Sequence, residues 1–278
     1  MSGKYLILKI HRAGKLFKIV LLLLTFIISR AAHAQNNLPM HLYFLKAKGH
    51  PMYYYLSLPR SWNKMEKWPV VVAIESANKK FKLTANSFID ARKNLPFIII
   101  VPLSVTNGNY GLKDPKVYPY SPDTWKAVDK KGDCWFDESG LLQIIKDVQH
   151  QYNGSDKFFI SGFEAGAHLT WTMIFHHPEM LLGAAPVAGN FQGRCVDESS
   201  ISKASSRVNL PIKAFYGQDD QLFGLGGTLY KQWLQAKDMA IKHGYNAINE
   251  TSIPLKAHVP MPVEVLQWFY TVFSERSK

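Results

Sequence analysis

Glu164, Asp220 and His258 are the residues of this 278-residue chain whose types, order and surroundings could do chemistry together. A carboxylate beside an imidazole holds one tautomer and leaves the other ring nitrogen as a general base toward a nucleophile or a water. Asp220 closes the stretch Phe215-Tyr216-Gly217-Gln218-Asp219-Asp220, and His258 lies in Lys256-Ala257-His258-Val259-Pro260, just ahead of the last apolar segment. Glu164 has a glycine two places before and two places after it, in Ile160-Ser161-Gly162-Phe163-Glu164-Ala165-Gly166-Ala167. Alone, a Gly-x-x-x-Gly is weak evidence, an Asp-Asp pair in a loop is usually solvated, and a loop histidine is usually structural. Together they gain weight because each falls at the carboxyl end of a predicted strand, the edge at which open α/β sheets bind ligands.

The elements that would position these residues follow from hydrophobic patterning. Residues 41–47 and 52–58, short and aromatic around Gly49-His50-Pro51, predict a β-hairpin. Pro69–Ile74 and residues 96–102 are near-continuous apolar runs, as expected of central parallel strands covered on both faces. A helix over 84–94 joins them. Residues 104–136, rich in Gly, Pro, Asn and Tyr, predict a long surface excursion of the kind that carries binding residues. Leu141, Ile144, Ile145 and Val148 then mark one face of a helix over 137–152. Strand 157–161, helix 165–178, strands 182–187 and 212–216, helix 227–243, strand 248–253 and helix 263–273 complete the chain. This alternation predicts a single α/β domain: a mostly parallel central sheet, helices on both faces and an N-terminal hairpin.

Composition supports an ordered, exported protein. The chain is 47% hydrophobic and 13% aromatic, which excludes a disordered or low-complexity class. Its net charge of +12 owes half its size to Lys4, Lys9, Arg12, Lys15, Lys18 and Arg30; without those six cations, 27 basic residues face 21 acidic ones, a net of +6. No later stretch concentrates cations with aromatics, so a nucleic-acid partner is not expected. The basic start, the apolar run Ile19–Ile28 and the small residues of Ala32-His33-Ala34 have the form of a signal peptide cut after Ala34. Ten apolar residues are too few to span about 30 Å of hydrocarbon. The expectation is a secreted or periplasmic domain over 35–278 with no membrane span. Cys134 and Cys195 fall in predicted loops of this exported chain, so a disulfide is expected between them. By chain entropy, closing a loop of some sixty residues would contribute about 4 kcal/mol. No spacing calls for a metal or cofactor. His176 and His177, adjacent at a helix end, are expected to point apart and to cap the helix or face solvent.

From about residue 40 onward the chain resembles the α/β-hydrolase superfamily, and within it the secreted esterases similar to feruloyl esterases and polyhydroxybutyrate depolymerases. The resemblance rests on Pro69–Ile74, Asp133-Cys134-Trp135-Phe136, Gly162–Gly166, Pro178-Glu179 with Ala188-Gly189, and Tyr216–Asp220 with His258. It implies a nucleophile–acid–His order, with Asp220 as acid and His258 as base. Two departures fall on the catalytic machinery. Family members carry Ser at the elbow, where this chain has Glu164. They usually carry His-Gly after the first long parallel strand, where this chain has Glu75-Ser76-Ala77-Asn78. That loop would share the oxyanion hole with the amide of Ala165, the residue after the nucleophile position.

A carboxylate attacks an ester carbonyl poorly, because the anhydride it forms collapses backwards, and its charge opposes the developing oxyanion. Glu75, if it borders the same hole, would add to that charge. Several readings stay open. One is a non-hydrolytic or strongly impaired protein of esterase ancestry, with Glu164 paired to protonated His258 or held by the helix N-terminus. Another is an active hydrolase using Glu164, a His258-activated water, or the less well placed Ser161 or Ser76. A third is a binding protein for a small ester, a glycan or a cell-wall fragment, with Tyr110, Tyr118, Tyr120, Trp125 and Trp135 either stacking on the ligand or packing the loop to the domain.

Overall fold

The computed structural model describes residues 41–107, 113–224 and 226–276. The expected signal peptide and Tyr110 lie outside the described residues. The chain from His41 onward forms one unit. Strand β1 (Leu42–Lys46) pairs antiparallel with β2 (Tyr53–Ser57), and β2 pairs antiparallel with β4 (Ile98–Pro102). The remaining pairings are parallel: β4 with β3 (Trp68–Ile74), β3 with β5 (Gly154–Phe163), then β6 (Leu181–Val187), β7 (Ile212–Gly217) and β8 (Ile248–Ile253). The sheet order is β1-β2-β4-β3-β5-β6-β7-β8.

Every residue of β3 and β4 is buried. Successive strand side chains point to opposite faces, so both faces of the sheet centre must be covered. The connections explain how. From β3 the chain moves one way along the sheet to β4, through helix α1 (Phe81–Arg92), and from β4 it returns the other way to β5. Right-handed crossovers in opposite directions put their helices on opposite faces. Accordingly α1 packs with the last helix, α6 (Pro262–Arg276), while α3 (Asp133–Tyr152) packs with α4 (Ala167–His176). Helix α5 (Thr228–Lys242) lies between β7 and β8 in sequence.

The expected surface excursion over 104–136 includes helical structure among its described residues. Its start is buried, with Ser104 and Asn107 fully covered. There the Asp137 carboxylate accepts hydrogen bonds from the amides of Val105 and Thr106 and from the Thr106 hydroxyl at 2.5–2.9 Å. Helix α2 (Pro122–Lys131) follows, and α3 begins at Asp133, four residues before the predicted start. The start of α2 has a local cause. The Ser121 hydroxyl accepts from the Thr124 amide at 3.2 Å, Pro122 occupies the first turn, and Asp123 lies at the positive end of the helix. Cys134 and Cys195 are disulfide-bonded, tying the start of α3 to the loop after β6.

Candidate functional site

Strand β5 ends in a tight elbow. Phe163 is still extended, Glu164 has φ +50°, and a 3-10 turn over Glu164–Gly166 leads into α4. Left-handed backbone costs a side-chain-bearing residue about 1–2 kcal/mol, so the surroundings must enforce it. They do so through the glycines. A Cβ on Gly162 would lie 2.3 Å from the Gly166 carbonyl oxygen and 2.5 Å from the Thr170 hydroxyl. A Cβ on Gly166 would lie 2.6 Å from the carbonyl oxygens of both Ile74 and Glu75. The helix thus begins against the ends of β3 and β5 at a distance only glycine allows. The Asn190 amide donates to the Glu164 carbonyl at 3.0 Å and fastens the turn to the β6 loop.

The acid and the imidazole converge from the ends of β7 and β8. A Cβ on Gly217 would lie 2.1 Å from the Lys256 carbonyl oxygen, so glycine there lets the 256–258 segment run close against β7. The Asp219 amide donates to that same carbonyl at 2.8 Å. Asp220 is 1% exposed. One of its carboxylate oxygens accepts from the Leu222 and Phe223 amides at 2.9 and 3.1 Å, which leaves the other for His258 Nδ1 at 2.8 Å. Because the carboxylate only accepts, Nδ1 carries a proton and Nε2 remains as the second ring nitrogen. The His258 ring lies 5.0 Å from the ring of Phe163, the residue before Glu164. Asp220 and His258 are therefore in contact and held beside the elbow. Among the described residues, the Glu164 carboxylate makes no hydrogen bond or ion pair, with His258 or with the start of α4.

The loop after β3 is built differently from a charged rim. Glu75 is 5% exposed, and its carboxylate accepts from the hydroxyls of Ser76 (2.9 Å) and Thr84. Burial raises its pKa, opposed by hydrogen bonding from Ser76 and the Lys80 amide. The side chain thus ties the loop to the first turns of α1, and Glu75 meets Gly166 through its backbone carbonyl. Ser76 is also buried, and its carbonyl accepts from Asn107 at 3.0 Å. Ser161, 2% exposed, donates to the Ala185 carbonyl at 2.7 Å. Both serines are covered and already partnered. A cavity of about 190 Å³, mainly apolar, lies at the ends of β3, β5 and β6, lined by Ile74, Glu75, Ser161, Phe163 and Val187 among others. Ala165 is buried in the first turn of the elbow.

Of the excursion aromatics, Tyr118 and Tyr120 are buried. Tyr120 donates its hydroxyl to the Leu103 carbonyl at 2.7 Å and meets Trp125 and Phe136 edge-on. They pack the loop to the domain. Trp135 is 39% exposed, with the Lys131 ammonium 4.1 Å above its ring. His176 and His177 do not point apart. Both reach one oxygen of Glu138 on α3, at 3.0 and 2.8 Å. Burial alone would raise the Glu138 pKa, but these bonds hold it down at about 2. Neighbouring residues at a helix end gave no sign of this meeting, which depends on α3 lying beside α4. His168, in the first turn of α4, is 4% exposed with Nδ1 unpartnered, and burial next to Arg194 lowers its pKa to about 4. Among the described residues no group of three or more His, Cys, Asp or Glu is arranged to hold a metal ion.

An elbow after the fifth strand, an acid after the seventh and a histidine after the eighth, on a sheet of this order, define the α/β-hydrolase fold. No protein-family model matches the chain, and no curated protein sequence does. Solved structures do match. Poly(aspartic acid) hydrolase-1 from Sphingomonas sp. KT-1 is 12% identical with a TM-score of 0.57, over 85% of this chain and 100% of that one. The siderophore hydrolase EstA from Aspergillus nidulans is 11% identical with a TM-score of 0.55, over 86% and 95%. A candidate dipeptidyl aminopeptidase IV from Bacteroides ovatus is 10% identical with a TM-score of 0.57; the likeness covers 85% of this chain but only 35% of that longer protein. At such identities the likeness is one of fold.

Proposed function

We propose that this is an exported α/β-hydrolase-fold protein of esterase ancestry that has kept a ligand pocket and lost Ser-type acyl transfer. The observation that carries the reading is the elbow apex. The residue at φ +50°, between two glycines that tolerate no Cβ, is Glu164. In a serine esterase that apex residue loses a proton to the histidine and attacks the ester carbonyl. A carboxylate has no such proton to lose, and its acyl adduct is an anhydride. Its negative charge would also oppose the oxyanion that develops in acyl transfer. Loss of the nucleophile leaves roughly 10³–10⁴-fold over water even in an otherwise intact site, and here the loop after β3 is altered as well.

Export through a signal peptide removed after Ala34, leaving the domain 35–278, is part of the same reading. The Cys134–Cys195 disulfide supports it, since such bonds persist in oxidising compartments. The ligand would be a small ester or a glycan fragment held at the carboxyl ends of the strands. The Asp220–His258 pair, intact at 2.8 Å, favours a second reading: slow hydrolysis by a water that His258 activates. The test is p-nitrophenyl acetate turnover by residues 35–278, with Glu164→Ser alongside. Background activity in the parent, appearing in the Ser variant, is the expected result. Robust turnover by the parent, abolished in Glu164→Gln, would overturn the proposal; parental turnover abolished in His258→Ala but kept in Glu164→Gln would select the second reading.

A further inference from the structure

Away from the elbow, a groove of about 470 Å³ runs between the N-terminal hairpin, the first turn of α1 and the 115–119 loop. Its walls combine two kinds of side chain. Phe44, 47% exposed at the edge of the sheet, lies 4.9 Å from Tyr55 with the rings inclined at 41°, which makes a stepped aromatic surface. Lys79, Lys80, Lys82 and Lys116 line the groove as well, and among the described residues no acid does. Among the described residues, no carboxylate is ion-paired with Lys80, Lys82 or Lys116. The nearby acid, Asp114, accepts from the Lys116 amide at 2.9 Å and acts electrostatically on Lys79, whose ammonium lies 5.5 Å over the Tyr118 ring. Lys80 likewise feels the buried Glu75 behind it.

Cations gathered in a concave, partly apolar surface focus a positive potential, and an aromatic face beside them suits the C–H face of a saturated ring. From this juxtaposition we propose that the groove is a binding site for acidic sugar rings, a short oligosaccharide bearing carboxylates. A single nucleic-acid strand fits less well. It needs cations tracking a backbone over several nucleotides, whereas these are gathered around one helix turn and one loop. The volume is that of a small-ligand site. The groove adjoins the elbow cavity, since Lys80 and Leu83 line both. The proposal does not depend on what Glu164 does.

The experiment is calorimetric titration of the domain 35–278 at low salt with trigalacturonate and with its fully methyl-esterified form, the same rings without charge. Trigalacturonate should bind, and the ester at least about tenfold more weakly. Lys82→Glu combined with Lys116→Glu should weaken binding by about tenfold or more, as expected for reversing two exposed charge contacts. Phe44→Ala should also weaken it. Lys64→Glu combined with Lys157→Glu, the same change in net charge outside the groove, should leave the affinity within twofold. Equal binding of acid and ester would overturn the proposal, as would an equal loss in the two charge-reversal pairs, or no binding of trigalacturonate. Trisaccharide-like affinity for a short poly-aspartate, unaffected by Phe44→Ala, would overturn the sugar class.

Discussion

Gly162→Ala separates a steric reading of the elbow from a conformational one, because the two predict opposite signs. Gly162 is not among the glycines with positive φ, so alanine can adopt its backbone conformation. On that ground alone the substitution should stabilise the fold by about 0.4–1 kcal/mol, by restricting the unfolded chain. The structure places the new Cβ 2.3 Å from the Gly166 carbonyl oxygen, some 0.7 Å inside the 3.0 Å that real Cβ atoms respect. Relief by strand movement is blocked on both sides, since Gly162 is paired with Ile74 in β3 and Pro186 in β6. Overpacking of this kind costs about 1–3 kcal/mol, and with backbone as the obstacle the upper end applies. The net expectation is a loss of about 2 kcal/mol, read as a lower urea midpoint at unchanged slope. A domain of this size would melt about 4–8 °C lower. Gly193→Ala is the control: its φ is +66° with nothing within 4 Å of the new Cβ, so only conformational strain acts there. A Gly162→Ala protein as stable as the parent would refute the claim that close strand–helix approach enforces the left-handed apex at Glu164.

Three further outcomes follow from the same contacts. His168 is buried with a pKa lowered from 6.5 to about 4, so the unfolded chain takes up its proton at a higher pH than the native one. Its contribution is full above pH 6.5 and lost as pH falls through 4, about 3 kcal/mol at most; urea unfolding across that range should show the slope in the parent and a flatter one in His168→Gln, and equal slopes would count against it. Reducing the Cys134–Cys195 bond, which spans 61 residues, should cost up to about 4 kcal/mol of stability, checked by unfolding with and without dithiothreitol. In the Glu164→Ser background, adding Asp220→Asn should lower any esterase activity by about 10⁴-fold, because the amide would favour the wrong imidazole tautomer; activity that survives would place the catalytic base elsewhere.

Much of this molecule is legible along the chain because its signals are local. Val70-Val71-Val72 and Ile98-Ile99-Ile100-Val101 read as covered strands, since only a buried parallel strand places consecutive β-branched residues to advantage, and each is at most 1% exposed. The spacing Gly162–Glu164–Gly166 and the order Glu164, Asp220, His258 need only a strand, a turn and a helix in sequence to be recognised. Helix α2 was hidden by composition: the Gly, Pro and Tyr around it suggest a loop, although Ser121-Pro122-Asp123 carries a start signal.

Side-chain direction and long-range partnership lie beyond such signals. The Glu75 carboxylate turns to Ser76 and Thr84 rather than to a rim, because burial demands donors and α1 supplies one nine residues away. Tyr120 is buried because Leu103 offers its carbonyl, and His176 and His177 meet because α3 carries Glu138 past the end of α4. Residue types and periodicity determine the sheet, the elbow and the order of the candidate triad. The packing of helices against that sheet decides which polar groups find partners, since a buried donor or acceptor takes whatever the tertiary fold brings within about 3 Å.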